Sequence, residues 1–275
     1  MSLRILPDLV QGSDEWMAAR RGMVTASVVG QLLSVRPPGA DAYGCSECLA
    51  EPGEPCVSQR SGSTGAPIKT MHSARTRYAA EMAATAPSII APATGDTARS
   101  LTALLAAERI TGWTDPTFMS ADMWMGMESE PLARQVYADN YAPVETVGLM
   151  VRDDWGFDIG YSPDGLVGDE GLIEVKSRRQ KNHLTTILAG DVPAENMAQI
   201  QCGLLVSRRA WCDYVGFCGG MKLWRKRVEP DERWFAAIIA AVRLFESNAA
   251  EMIAAYDTAT EGFPMTERAE MEMVI

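Results

Sequence analysis

The sequence predicts an α/β (α+β) fold: a central mixed sheet flanked by helices, carrying one small irregular insert. Three observations lead there. Two short β-type runs, 164–167 and 171–177, meet at the turn Gly168-Asp169-Glu170-Gly171, a hairpin signal. Stretches with helical periodicity lie before and after these runs. Residues 37–95, rich in Pro, Gly, Ala, Ser and Thr, carry neither pattern.

Each element has its own reason. Ser13 caps a short helix running through Arg20, and Thr25 caps another over 26 to about 35. Residues 97–110 are Ala/Leu-rich and helical. A helix over 119–141 places Trp124, Met127, Ala133 and Tyr137 near helical spacing. Strands are predicted at 144–151, 157–161, 164–167 and 171–177. Pro193 opens a helix to about 206, with Met197, Ile200 and Leu204 on one face. Strands at 211–217 and 221–228 pair around Gly219-Gly220. The last helix, 231–256, has Trp234, Ile238, Phe245 and Met252 in its apolar stripe. The tail after Gly262 is expected to fray. One large domain, 1–36 with 96–275, is thus interrupted by the segment 37–95.

With 275 residues, 47% of them hydrophobic, the chain can bury one large core. No apolar run reaches the roughly 20 residues of a membrane-spanning helix. No basic-then-apolar leader opens the sequence, and the six cysteines have no regular disulfide-like spacing. A reducing, cytoplasmic setting is expected. The net charge of −11 argues at first against a nucleic-acid partner. Affinity for DNA comes from local phosphate contacts, however, and the basic residues are clustered. The clusters are Arg20-Arg21, Lys176 to Lys181 with Arg178 and Arg179, Arg208-Arg209, and Lys222 to Arg227. A basic channel inside an acidic exterior is the expectation. His183, after the second cluster, is expected to face DNA or solvent.

The hairpin carries chemistry. Side chains alternate along a strand, so Glu174 and Lys176 share a face while Ile173 and Val175 take the other. Asp164 can converge on the Glu174/Lys176 face. Two carboxylates offer hard oxygen ligands for Mg²⁺ or Mn²⁺, which stabilises phosphoryl charge and generates hydroxide. A lysine beside them can position or deprotonate the attacking water. Metal-dependent phosphodiester hydrolysis needs this set.

The insert has a second signal: Cys45-Ser46-Glu47-Cys48, then Pro52-Gly53-Glu54-Pro55-Cys56, then His72 with Arg75. Cys45, Cys48, Cys56 and His72 make a tetrahedral Zn²⁺ set. The segment has little apolar material, so a metal would supply the order that its own core lacks. It resembles a small C-x2-C…PG-x-PC…H zinc motif found appended to actinobacterial proteins. Cys202, Cys212 and Cys218 sit in apolar contexts and read as buried.

Four blocks, in order, resemble the phage lambda-type exonucleases, the YqaJ-like viral recombinase branch of the PD-(D/E)XK nucleases. They are Trp16-Met17-Ala18-Ala19-Arg20-Arg21-Gly22-Met23-Val24-Thr25-Ala26-Ser27; Gly126-Met127-Glu128-Ser129-Glu130 with Ala133-Arg134; the Ser162-Pro163-Asp164-Gly165-Leu166 and Glu174-Val175-Lys176 hairpin; and Met197-Ala198-Gln199-Ile200-Gln201. They cover most of 11–36 and 96–228.

The resemblance implies a PD-(D/E)XK restriction-endonuclease-like core and a 5′→3′ exonuclease that acts on double-stranded DNA ends. It implies removal of the 5′-ended strand, leaving a 3′ single strand for recombination. Asp164, Glu174 and the Val175 carbonyl would hold the catalytic metal, with Glu130 assisting and Glu128 less favoured. Lys176 would activate water, and Gln199 rather than Gln201 would lie near the scissile strand. Arg20 and Ser27 would hold a 5′-phosphate, to which a guanidinium fork is suited, with Arg178 and Arg179 as DNA contacts. A homotrimer and a single-strand annealing recombinase partner are also implied. The alternatives are a PD-(D/E)XK endonuclease and a DNA-binding assembly protein whose hairpin is vestigial.

Overall fold

The computed structural model describes residues 2–60, 62–116 and 119–268. The chain runs β1 (Leu3–Leu6), α1 (Asp14–Arg20), β2 (Val24–Thr25), α2 (Ala26–Val29), β3 (Leu33–Arg36), α3 (Ser73–Met82), β4 (Ile89–Pro92), α4 (Asp96–Thr111), α5 (Ala121–Asn140) and β5 (Leu149–Arg152). It continues β6 (Ile159–Tyr161), β7 (Gly165–Val167), β8 (Gly171–Ser177), α6 (Gln180–Ala189), α7 (Ala194–Ser207), β9 (Trp211–Phe217), β10 (Trp224–Val228) and α8 (Glu232–Ala259).

The β-structure is mixed, as the sequence predicts, and among the described residues forms two four-stranded sheets, with orders β1-β5-β6-β2 and β10-β9-β8-β7, and a two-stranded one, β3-β4. Each four-stranded sheet has one parallel pair: β2 with β6, and β8 with β9. Strand β8 is central to the second sheet, and its two faces serve different cores. Leu172 joins the large cluster with Ile200, Leu204 and Tyr214. Ile173 and Val175 join a smaller one with Ala133 and Tyr137 of α5. Helices α7 and α5 therefore cover opposite faces of β8. The period-2 alternation sends Glu174 and Lys176 towards α7.

Arg225 and Arg227 of β10, two members of the basic clusters, stay partly exposed but both bond to Asp213. That carboxylate is fully buried and also accepts from Tyr137 Oη at 2.7 Å. Arg225 Nη1 and Arg227 Nε each donate to it at 2.8 Å. Burial works to raise the Asp213 pKa, but the bonds from Arg227, Tyr137 and Arg225 outweigh it and hold the group below the ordinary carboxylate range.

Several expectations are corrected. The helix from residue 26 ends in a 3-10 turn, Gly30–Leu32, and Leu33–Arg36 becomes a strand paired antiparallel with β4. The partner is remote in sequence, and the following Pro37-Pro38 ends any helix. Thr25 precedes α2 but makes no side-chain cap bond; its hydroxyl instead meets Arg20 Nη2 and Ser27 Oγ. Ser13 does cap α1, accepting from Trp16 N–H at 3.2 Å. Residues 37–95 are irregular only in part, since α3 and β4 lie within them. The 144–151 run splits: Glu145 bridges to Leu166, while β5 pairs in the other sheet. Between them Gly148 passes so close to Leu9 that a Cβ would stand 2.1 Å from its carbonyl oxygen. His183 is buried on α6, its Nε2 2.9 Å from the Lys222 carbonyl, and faces neither DNA nor solvent. Residues 263–268 have no regular structure, and the remainder of the tail lies outside the described residues.

Candidate active site and metal centre

Asp164 sits at the mouth of the β7–β8 hairpin, one residue before Gly165, which pairs with Ile173. A Cβ at Gly165 would lie 2.3 Å from Val144 Cγ1 and 2.9 Å from Ile173, so only glycine lets the strand close here. Asp164 Oδ2 then accepts the backbone N–H of Val175 at 2.7 Å. The carboxylate thereby spans the hairpin to the middle residue of Glu174-Val175-Lys176. Lys176 Nζ lies 2.7 Å from Glu174 Oε1 and donates to Gln199 Oε1 of α7 at 3.0 Å. The ammonium is aligned on Gln199 rather than on Glu174. Both carboxylate oxygens of Glu174 are thus buried without an aligned hydrogen bond. Gln201, two positions on from Gln199, turns elsewhere: it donates to the Glu229 carbonyl and accepts from Asp231 N–H.

Glu130 reaches the site from α5. It pairs with Arg134, whose Nη1 also donates to the Asp164 carbonyl at 3.2 Å. Burial raises the Asp164 pKa well above the ordinary range, and the charges of Glu174 and Glu130 raise it further. Burial raises Glu130 too, opposed by Arg134. Burial would lower Lys176, but Glu174 and Asp164 outweigh it, so this amine is held protonated. Carboxylates that destabilise one another, one of them buried with no aligned hydrogen bond, fit a hard divalent cation. A cleft of about 320 Å³ is lined by Met125 and Ser129 of α5 and by Ser177, Arg178 and Arg179 just after Lys176, among others.

Arg20 and Ser27 also meet. Arg20 Nη2 donates to Ser27 Oγ at 2.9 Å and to Thr25 Oγ1 at 3.0 Å, and its guanidinium stacks 3.8 Å from the Trp16 ring centroid. Its Nε is buried without a partner. Burial lowers the Arg20 pKa to about 10, against the raising charge of Glu108. Trp16 Nε1 in turn donates to Ser162 Oγ at 2.9 Å, two residues from Asp164. Trp16, Ser162 and Arg134 all lie inside the quoted motifs, but only their contacts across the fold mark them as part of the site.

Arg178 is half-buried and lines the cleft. It donates to Tyr214 Oη at 2.9 Å and to Asn196 Oδ1 at 2.5 Å, and it pairs with Glu195. Arg179 is exposed and paired with Asp122.

In the insert, the ligand atoms of Cys45, Cys48, Cys56 and His72 all lie within 4.8 Å of one another. Among the described residues no other group of three or more Cys, His, Asp or Glu is drawn together so tightly. Cys45 Sγ is 3.4 Å from His72 Nδ1, while His72 Nε2 faces Glu47 at 3.6 Å, an arrangement that orients the ring. Backbone hydrogen bonds from Val57 and Ala50 bring the Cys48 pKa down to about 6, although burial opposes them. Burial raises that of Cys45. Leu49, just after Cys48, holds the left-handed conformation at φ 58°. Apart from the cysteines, the apolar cluster here contains only Ala50 with Ile68 packed against it. Thiolates, an imidazole and so small a core fit a structural zinc ion. Cys202, Cys212 and Cys218 are buried, as expected from their apolar contexts.

Residues 72–210 match the YqaJ-like viral recombinase domain, a span that includes Glu130, Asp164, Glu174, Lys176 and Gln199. Residues 11–92 match the "Putative DNA-binding phage zinc finger domain", which takes in Arg20, Ser27 and the Cys/His set. No curated protein matches the sequence significantly. The fold is similar to that of an alkaline exonuclease from Laribacter hongkongensis, at 26% identity and a TM-score of 0.63, covering 92% of this chain and 100% of the other. The structure of that enzyme in complex with dAMP matches at 26% identity and a TM-score of 0.64, with the same coverage. The recombinase-domain match spans half of the sequence and contains the whole hairpin site, and the chain belongs to the YqaJ-like viral recombinase family.

Proposed function

We propose that this deoxyribonuclease is a metal-dependent 5′→3′ exonuclease that loads at a double-stranded DNA end. It degrades the 5′-ended strand and leaves a 3′ single strand for phage-type recombination. The observation that carries the reading is the convergence of Asp164, Glu174, Lys176 and Gln199 at one hairpin, with both Glu174 oxygens buried and Lys176 as their charge partner. The homologous alkaline exonuclease, captured with dAMP, accords with release of mononucleotides.

Asp164, Glu174 and the Val175 carbonyl would hold Mg²⁺ or Mn²⁺, with Glu130 contributing once it parts from Arg134. Bound there, the ion would supply positive charge for the phosphoryl oxygens and acidify a water. Lys176, kept as an ammonium by Glu174, orients that water and offsets charge in the transition state, and Gln199 fixes its direction. It can take a proton only after its carboxylate neighbours have been neutralised. Arg20 and Ser27 bind the 5′-phosphate. The bond from Trp16 to Ser162 sets their distance from the hairpin. Arg179 contacts the DNA backbone once it parts from Asp122, and Arg178, which lines the same cleft, does so once it parts from Tyr214, Asn196 and Glu195. The Cys/His set of the insert, 37–95, holds one Zn²⁺. A homotrimer, a single-strand annealing partner and action in the host cytoplasm complete the proposal.

Incubation of linear and closed circular duplex with Mg²⁺ tests this reading. The linear form should be consumed and the circle spared. Cleavage of the circle would identify an endonuclease instead.

A further inference from the structure

The insert buries a charge for which it provides no carboxylate. Arg75, on α3, is 0% exposed. Its Nε donates to the carbonyls of Ala40 at 2.9 Å and Tyr43 at 2.7 Å. Nη1 donates to that of Glu54 at 2.7 Å, and Nη2 to those of Asp41 and Glu51, each at 3.1 Å. The remaining contact is from Nη1 to Cys56 Sγ at 3.6 Å. Among the described residues no Asp or Glu side chain pairs with this guanidinium.

Carbonyl dipoles satisfy its hydrogen bonds but do not neutralise it. A buried cation without a counter-ion is costly. Zinc held by three thiolates and one neutral imidazole carries a net charge of −1. That charge sits on the sulfur atoms, and Arg75 approaches one of them. The same guanidinium gathers the loop that carries Cys45 and Cys48. Arg75 also stands one turn after His72, on the helix that His72 begins. Loop, helix and ligand are therefore tied at one point.

We propose that Arg75 is the counter-charge of the zinc centre, so that the guanidinium and the metal each stabilise the other in a shared buried pocket. The coupling runs both ways. Zinc makes the buried arginine tolerable, and the arginine raises the affinity for zinc. Partners just outside a metal's ligand shell contribute on the order of 10–100-fold in affinity. The inference rests on the zinc reading of the four ligands, and the test separates the two.

The full-length protein is prepared as wild type, Arg75→Lys and Arg75→Met. Zinc per chain is measured first. Then zinc affinity is measured by competition with a chromophoric chelator, and melting is followed with and without chelator. One zinc per wild-type chain upholds the zinc site itself, and much less than one refutes that reading before Arg75 is considered. Arg75→Met should bind zinc on the order of 10–100-fold more weakly, and its melting should respond less to chelator. Arg75→Lys keeps the charge but loses the forked donation to carbonyls. It should melt lower yet keep affinity within a few-fold of wild type. Wild-type zinc affinity in Arg75→Met would overturn the proposal. So would an equal loss of affinity in both variants, which would make Arg75 only a clamp on the loop. Should Arg75→Met fail to fold, the affinity of Arg75→Lys decides alone: near wild type supports the proposal, and a loss of tenfold or more rejects it.

Discussion

Trp16 donates its indole N–H to Ser162 Oγ at 2.9 Å across 146 positions of sequence. The bond joins the helix that carries Arg20 to the strand end that carries Asp164. The group proposed to grip the 5′-phosphate is thereby held at a fixed distance from the group proposed to cut.

Loss of this link should uncouple the two. Trp16→Phe keeps a ring for Arg20 to stack on but removes the donor. It should cost about 1 kcal/mol of stability and reduce the preference for 5′-phosphorylated over 5′-hydroxyl ends. Arg20→Ala should reduce that preference further, because its contact is charge-assisted and specific to phosphate. Rates on the two kinds of end measure both effects. Equal losses on both ends would make Arg20 a structural residue.

The carboxylates proposed to bind metal should weaken the fold when no metal is bound. Because Asp164 has a raised pKa in the fold, the folded state holds its proton longer than the unfolded chain does. Metal-free stability should therefore fall as pH rises from about 4 up to the folded pKa, and level off beyond it. Asp164→Asn can still accept from Val175 N–H, and it should abolish cleavage while raising metal-free stability by about 0.5–2 kcal/mol. Thermal melting in chelator, across pH, reads this directly. A less stable Asp164→Asn protein would contradict it.

Asp213 gives the opposite sign. Its lowered pKa contributes stability that is present above about pH 4 and lost as pH falls through the folded value. Asp213→Ala should cost about 2–3 kcal/mol. That is less than for a fully buried pair, because Arg225 and Arg227 are partly exposed and can regain water. The variant should also lose the acid limb of the stability profile, which denaturant titration at several pH values would show.

Zinc removal should act locally. Chelation should unfold the Cys45–His72 segment and leave the β7–β8 hairpin intact, since the latter belongs to separate apolar clusters. Hydrogen exchange with and without chelator checks this: protection lost in 43–72 and kept in 165–177 is the expected pattern.

Much of this was legible because the chemistry is local. Glu174 and Lys176 share a face by strand alternation, Asp164 lies at the start of the paired strand, and the candidate zinc ligands follow from cysteine spacing. Helix phase separates Gln199 from Gln201, while the family resemblance favours Gln199. What escaped depends on remote partners. The helix predicted over 26–35 gave way to a strand because Ile89–Pro92 pairs with Leu33–Arg36. His183 looked solvated because it follows a run of charges, but α6 turns it inward. Arg225 and Arg227 read only as members of a basic cluster, and their shared bond to Asp213, which Tyr137 also holds, shows in the fold alone. A charge's partner across a sheet has no sequence signature.

The most direct test of the central claim uses one linear duplex, labelled either at its 5′ ends or at its 3′ ends, with Mg²⁺ and either wild type or Lys176→Ala. Wild type should release the 5′ label early as a mononucleotide and leave the 3′ label on long single strands, and Lys176→Ala should release almost nothing. Early release of the 3′ label, or wild-type digestion by Lys176→Ala, would contradict the account.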